Sequence, residues 1–208
     1  MKIITIGREF GSGGRELGKR LADILNCEYY DREIITAISE SQGLNEEFVE
    51  SVLENGAYHN FPITYSHSFG AVTIMQHPHT SIFIEQRKVI EKIAQQGKDC
   101  VIVGRNADII LKNYKPFNIF VCAEEKWKVK RCIERASADE QLSEKQIIKN
   151  MRRIDKNRAM LRSFITDSKW GDPKAYDLTA NSSGWEIKKL CPIIAEFIKY
   201  SLDNKTSE

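Results

Sequence analysis

The sequence predicts an α/β fold of three layers, αβα, around a parallel sheet of five strands. Three observations carry this. Short continuous apolar runs recur along the chain, stretches of helical periodicity separate them, and a glycine-rich turn, Gly11-Ser12-Gly13-Gly14, joins the first run to the first helical stretch. Continuous apolar runs read as strands buried on both faces, and strands alternating with helices imply parallel pairing with helices on both sides.

The elements follow in order. Residues 2–6 form the first buried strand, and Leu17, Leu21, Ile24 and Leu25 then recur at helical spacing. Cys27–Tyr30 reads as a second strand ending at Asp31. Residues 32–56 read as two helical pieces broken near Gly43, with Asn45 placed to cap the second. A helix over 81–96 stops at Gly97, a strand over 100–103 is cut off by Gly104-Arg105, and 118–122 is a further strand with a charged helix after Glu124. Ser143 with Gln146 forms a capping box for a helix through Met160. Residues 176–180 make the last strand. Ser183 with Glu186 forms a second capping box, for a helix lined by Ile187, Leu190, Ile194 and Phe197.

Composition narrows the function. At 208 residues the chain suits one domain, and a formal charge of +2 gives no global argument for nucleic acid binding. No apolar run reaches the roughly 20 residues that span a bilayer, and the N-terminal stretch reads as a strand rather than a signal peptide. The five cysteines are scattered and form no C-x-x-C pair, which fits reduced structural thiols and a cytoplasmic location. His59, His67, His77 and His79 fall in one segment, but no cysteine lies there and its acids only flank it. Residues 57–80 are therefore read as a long functional or mobile connection rather than a metal site. Tyr58, Phe61, Tyr65 and Phe69 there could stack a base or form a satellite apolar cluster.

A strand, a glycine turn and a helix N-terminus together make an anion cradle. Two phosphate-binding patterns compete for it. The dinucleotide fingerprint is met by Gly11, Gly13 and Asp31 but fails at its third glycine, where Glu16 stands. In the P-loop pattern, with Gly13 as the second glycine, Arg8 replaces the first and Gly14 replaces the lysine.

Over nearly its whole length the chain resembles the cytidylate kinase-like branch of the nucleoside monophosphate kinases. The segments that carry the resemblance are residues 7–17, Tyr29-Tyr30-Asp31, Val103-Gly104-Arg105, Asp155-Lys156-Asn157-Arg158 and Tyr176-Asp177-Leu178, in the expected order. It implies a P-loop NTPase-type three-layer αβα fold with a five-stranded parallel sheet, plus a helical acceptor-binding flap and a lid. The chain then forms a single kinase-like domain, with a core of about 1–31 and 98–208, an acceptor-binding insert of about 32–97 and a lid of about 131–165.

The resemblance also implies roles. Gly11, Ser12, Gly13, Gly14, Arg15 and Glu16 would hold the phosphates of ATP, with Ser12 or Glu16 as magnesium candidates. Tyr30 and Asp31 would border the acceptor pocket, and Arg105, Arg131 and Arg152 would bind acceptor phosphate. Asp155 and Arg158 would act in transfer from the lid helix, with Arg15 or a lid arginine replacing the lysine charge. Phosphoryl transfer asks mainly for positioning and cations, and Arg152, Arg153, Arg158 and Arg162 supply planar donors in one stretch.

The expected activity is transfer of the γ-phosphoryl of ATP to a nucleoside monophosphate, CMP or dCMP first, by a monomer or homodimer that needs no nucleic acid or membrane. Two alternatives stay open. One changes the acceptor to another small alcohol or phosphate. The other is a nucleotide-binding regulatory protein, favoured by the glycine in the lysine position.

Overall fold

In a computed structural model that describes residues 1–55, 78–136 and 143–205, strands β1 (Ile3–Arg8), β2 (Glu28–Tyr30), β3 (Cys100–Val103), β4 (Phe117–Cys122) and β5 (Leu178–Asn181) form one sheet. Its order is β2-β3-β1-β4-β5 and every pairing is parallel. The helices are α1 (Gly14–Leu25), α2 (Glu33–Gln42), α3 (Glu46–Asn55), α4 (Pro78–Gln95), α5 (Ala107–Ile110), α6 (Glu125–Arg135), α7 (Glu144–Ser163) and α8 (Ile187–Lys205). The flap residues 57–77, with three of the four histidines, lie outside the described residues, as does the side chain of His79.

Alternation along β1 separates two cores. Ile4 and Ile6 face α1 and α8, where Leu17, Leu21, Ile187, Cys191, Ile194 and Ile198 close one cluster. Ile3, Cys100 and Ile102 face the other way, against Ile34, Ile38, Val49, Leu53, Ile82 and Ile90 of α2, α3 and α4. The helices from 33–55 and 78–95 thus build the second layer of the sandwich and carry their residues directly to the sheet edge. Gly18 lets α1 approach, since a Cβ there would lie 2.6 Å from Val103 Cγ2 and 3.1 Å from Ile6 Cδ1.

Two local expectations changed. β1 continues past Ile6, because Gly7 and Arg8 pair with Phe120 and Val121 and the amide of Glu9 donates to Val121 O at 2.9 Å. Arg8 is thereby delivered to the C-terminal edge of the central strand. The second capping box is also replaced: α8 starts at Ile187, directly after Glu186, and Ser183 Oγ accepts the amide of Glu124 at 2.8 Å. The Ser143–Gln146 box forms as expected, and Asn45 Oδ1 accepts the Glu47 amide at 2.7 Å.

β1 is the switch strand. The chain leaves it toward β2 and β3 on one side and later fills β4 and β5 on the other, which opens a crevice at the strand C-termini. Among the described residues, no helix is long and apolar enough to cross a membrane.

Gly18→Ala tests the tight helix–sheet approach. Overpacking against Val103 and Ile6 should cost roughly 1–3 kcal/mol, only partly offset by about 1 kcal/mol of helix propensity. Thermal unfolding should show a Tm lower by about 2–8 °C.

Candidate functional site

The turn after β1 is held from several elements. Glu9 Oε2 accepts from Lys128 Nζ at 3.0 Å and from the Ala123 amide at 3.2 Å. Asp155 Oδ1 of α7 accepts the Phe10 amide at 2.8 Å, Arg131 Nη1 of α6 donates to Gly11 O at 3.1 Å, and Ser182 Oγ donates to Ser12 O at 2.6 Å. With its carbonyls and side chains fixed outward, the turn leaves the start of α1 open. Gly13 is the N-cap at φ 85° and offers no side-chain cap, so the first amides of α1 face the cleft without an intrahelical acceptor. A Cβ on Gly13 would meet Ile187 Cδ1 at 2.7 Å, so the cradle admits only glycine there.

Two cavities meet at this edge. The larger, about 720 Å³, is lined by Gly11, Gly13, Gly14, Arg15, Arg131 and Arg135 on the turn side and by Asn150, Arg153 and Ile154 of α7. The smaller, about 60 Å³, lies over Gly104, Arg105, Phe83, Gln86 and Tyr176. Arg8, Glu54 and Arg158 line both.

The smaller cavity is charged. Arg105 follows Gly104 with its own φ at 58°, and Asn106 is also left-handed at 52°, a strained corner of the kind that marks functional sites. Gln86 Nε2 holds the Arg105 carbonyl at 3.3 Å. Arg105 is 9% exposed, its Nη2 stands 3.9 Å from Glu54 Oε1, and both Nε and Nη2 lack a hydrogen-bond partner. Burial pulls this guanidinium below its ordinary range, against the opposing carboxylates of Glu54 and Asp31. Arg158 Nη2 lies 3.8 Å from Glu54 Oε2, and its Nη1 reaches Arg8 O and Asp155 Oδ1, each at 3.3 Å. Burial pushes the Glu54 carboxyl up, but Arg158, Arg105, Arg8 and Arg15 together hold it below its usual value. An unpaired buried N–H is costly, so this pocket suits an anion that could take both from Arg105.

The residues singled out from sequence divide clearly. Gly11, Gly13, Gly14, Arg15, Arg131 and Arg158 line the large cleft, and Arg105 and Arg158 line the small one. Asp31 lies beneath them, 3% exposed, with Oδ2 2.5 Å from Arg15 Nε and Oδ1 lacking a hydrogen-bond partner. Tyr30 packs instead against the α2–α4 core cluster. Arg152 turns away from both cavities and pairs with Glu125 at 2.9 Å on the exposed side, while its neighbour Arg153 faces the cleft. Met151 is buried beside Val129 and Ile147, which fixes the phase of α7 and sends Arg152 outward. Arg162 is spent on Asp108 at 2.6 Å and on Ser168.

The two magnesium candidates do not fit a directly held ion. Ser12 is fully buried and its hydroxyl donates to Glu9 O at 2.8 Å. Glu16 is bridged by Arg20 and Arg135. Among the described residues, no group of three or more His, Cys, Asp or Glu side chains could hold a metal. Sequence reasoning did not assign Arg8 or Glu54 a role in the site. The available signals were an arginine in a P-loop glycine position and an acid directly after the inward-facing Val52 and Leu53.

A parallel β2-β3-β1-β4-β5 sheet with a phosphate-type cradle after its central strand defines an α/β fold of the shikimate and nucleoside monophosphate kinase type. The chain belongs to the cytidylate kinase-like family, whose model matches residues 3–184. It is similar to an uncharacterized protein from Eubacterium ventriosum, at 28% identity and TM-score 0.66, over 96% of this chain and 99% of that one. A shikimate kinase from Bacteroides thetaiotaomicron shares the fold at 14% identity and TM-score 0.56, over 95% of this chain and 98% of that one. A shikimate kinase from Acinetobacter baumannii in complex with shikimate does so at 13% identity and TM-score 0.52, over 96% and 93%. A search of curated proteins found no match.

Glu16 offers a pH test of the bridge at the start of α1. Burial raises its pKa, but hydrogen bonds from Arg20 and Arg135 and their charges outweigh this and leave it below the ordinary 4.5. The bridge therefore stabilises the fold above about pH 4.5 and is lost as pH falls through the lowered value. Glu16→Gln should cost about 1 kcal/mol in urea unfolding at pH 7, and the difference from wild type should shrink steadily toward about pH 3.

Proposed function

We propose that this protein transfers the γ-phosphoryl group of a nucleoside triphosphate, ATP in the first instance, to a small anionic acceptor, with CMP or dCMP as the first acceptor to test. The observation that carries this reading is the meeting of the two cavities at Arg8, Glu54 and Arg158. A donor whose phosphates sit on the glycine turn and an acceptor held by Arg105 would bring their reacting ends together there. The free thiols of all five cysteines support a cytoplasmic setting.

In the proposed reaction an acceptor oxygen forms a bond to the γ-phosphorus as the bond from that phosphorus to the β,γ-bridging oxygen breaks. The nucleoside diphosphate leaves with the electron pair. Magnesium would enter with the triphosphate rather than on a protein ligand, and would supply neutralisation of phosphate charge. The turn amides hold the donor phosphates, and Arg131 and Asp155 keep the turn in shape from α6 and α7. Arg158, on α7 at the junction, stabilises the equatorial oxygens in transit. Arg105 binds and orients the acceptor anion through its two unpartnered N–H groups.

A second acceptor class, a small hydroxy acid, is favoured by the modest size of the pocket over Arg105, about 60 Å³. A coupled assay of ADP release across CMP, dCMP, other nucleoside monophosphates and small hydroxy acids distinguishes the two. Turnover with CMP or dCMP supports the first reading and turnover with hydroxy acids alone supports the second. Triphosphate binding without turnover on any acceptor would move the chain to the regulatory class.

Arg105→Met should raise the acceptor KM by about 10–100-fold while the donor KM stays within about twofold, because the lost contact belongs to the acceptor alone. An equal rise in both constants would place Arg105 in the fold rather than in acceptor binding.

A further inference from the structure

Arg8 and Gly14 make a reciprocal exchange. A Cβ on Gly14, where a P-loop would carry its lysine, would lie 2.5 Å from Arg8 Cβ and 3.0 Å from Arg8 Cγ. The Arg8 side chain thus rises through the space that a side chain at position 14 would claim. Its far end lies over Gly104, whose φ of 75° calls for glycine on its own and where a Cβ would lie 1.4 Å from Nη1 and 2.5 Å from Cζ. Arg8 is 8% exposed, and it lines both the turn cleft and the Arg105 pocket.

The alternative donors of this charge are placed differently. Arg15 is half-exposed and its Nε is tied to Asp31 at 2.5 Å. Arg131 is committed to the carbonyls of Gly11 and Trp185. Arg8 faces Asp31 across 3.9 Å, an ion pair too long for a hydrogen bond. Burial, with Arg158 and Arg105 nearby, brings its guanidinium down to about 9, so an arriving anion would relieve an uncomfortable charge.

We infer that Arg8 supplies the phosphate-facing charge that a P-loop lysine would supply from position 14, and that Gly14 is a glycine in order to admit it. The charge has moved from the helix N-terminus to the end of the central strand. This rests on the proposed binding of a triphosphate at the glycine turn. Its consequence is specific: Arg8 distinguishes a donor with a γ-phosphate from one without.

Calorimetric titration with magnesium-ATP and magnesium-ADP, alongside thermal unfolding, tests it on wild type, Arg8→Met, Arg8→Lys, Gly14→Lys and the exchanged double variant Arg8→Gly/Gly14→Lys. Wild type is expected to prefer ATP over ADP. Arg8→Met should lose about 10–100-fold in ATP affinity with a much smaller loss for ADP. Arg8→Lys should fall between the two. Gly14→Lys alone should fail to bind better than wild type, because Arg8 occupies the space, whereas the exchanged variant should recover most of the ATP preference. A folded Arg8→Met with an unchanged ATP-to-ADP ratio overturns the inference. So does an exchanged variant whose ATP preference is no better than that of Arg8→Met. Should Arg8→Met fail to fold, Arg8→Lys and the exchanged variant decide by the same ratio. A folded wild type that binds neither nucleotide overturns the proposed function and the inference with it, an outcome separate from an intact preference that ignores Arg8.

Discussion

Two buried guanidiniums, of Arg8 and Arg105, and the half-buried one of Arg158 gather at the C-terminal edge of β1 and β3, and the rest of the site is arranged around that fact. Charge in such a setting is costly unless it is paired. The sheet sets Asp31 under Arg8, and α3 sets Glu54 between Arg105 and Arg158, but these pairs stand at 3.8–3.9 Å rather than in hydrogen-bond contact. The pocket is therefore compensated enough to fold and left short of partners. That balance is what the proposed acceptor anion would complete.

The same economy governs the turn. Lysine, arginine and serine side chains from α6 and from the end of β5 take up its carbonyls and the Glu9 carboxylate, and Asp155 of α7 takes the Phe10 amide, which leaves the amides at the start of α1 open. Asp155 illustrates the difference between acting and positioning. Burial raises its pKa even though the Phe10 amide and Arg158 favour its charged form. It anchors the glycine turn to the helix that carries Arg158, so one carboxylate ties the turn to the arginine at the junction.

Much of the fold was legible in the sequence because apolar runs and helical periodicity report burial directly. The strands at 100–103 and 118–122, the latter one residue longer at its start in the structure, and the break at Gly43 followed from such patterns. What escaped was polar. β1 looked finished at Ile6 because Arg8 reads as a surface residue, and only its pairing with Val121 reveals that it belongs to the sheet. Arg152 looked interchangeable with its neighbours until Ile147, Met151 and Ile154 fixed the phase of α7. That phase was available from residue spacing. Glu54 was not, since its place between two arginines arises only when α3, β3 and α7 come together.

The contact of Arg8 with Gly14 and Gly104 ties three distant positions into one evolutionary character. A side chain at 14 would crowd Arg8 at its Cβ, while 104 needs glycine both for its own φ of 75° and for the end of Arg8 above it. Single-step paths between this arrangement and a lysine-bearing turn therefore cross a crowded or uncharged intermediate. Chains of this type should keep the three residues together or lose them together. A motif search keyed to the lysine would pass over them, while one keyed to an arginine six residues before a helix-opening glycine would gather them as a lineage.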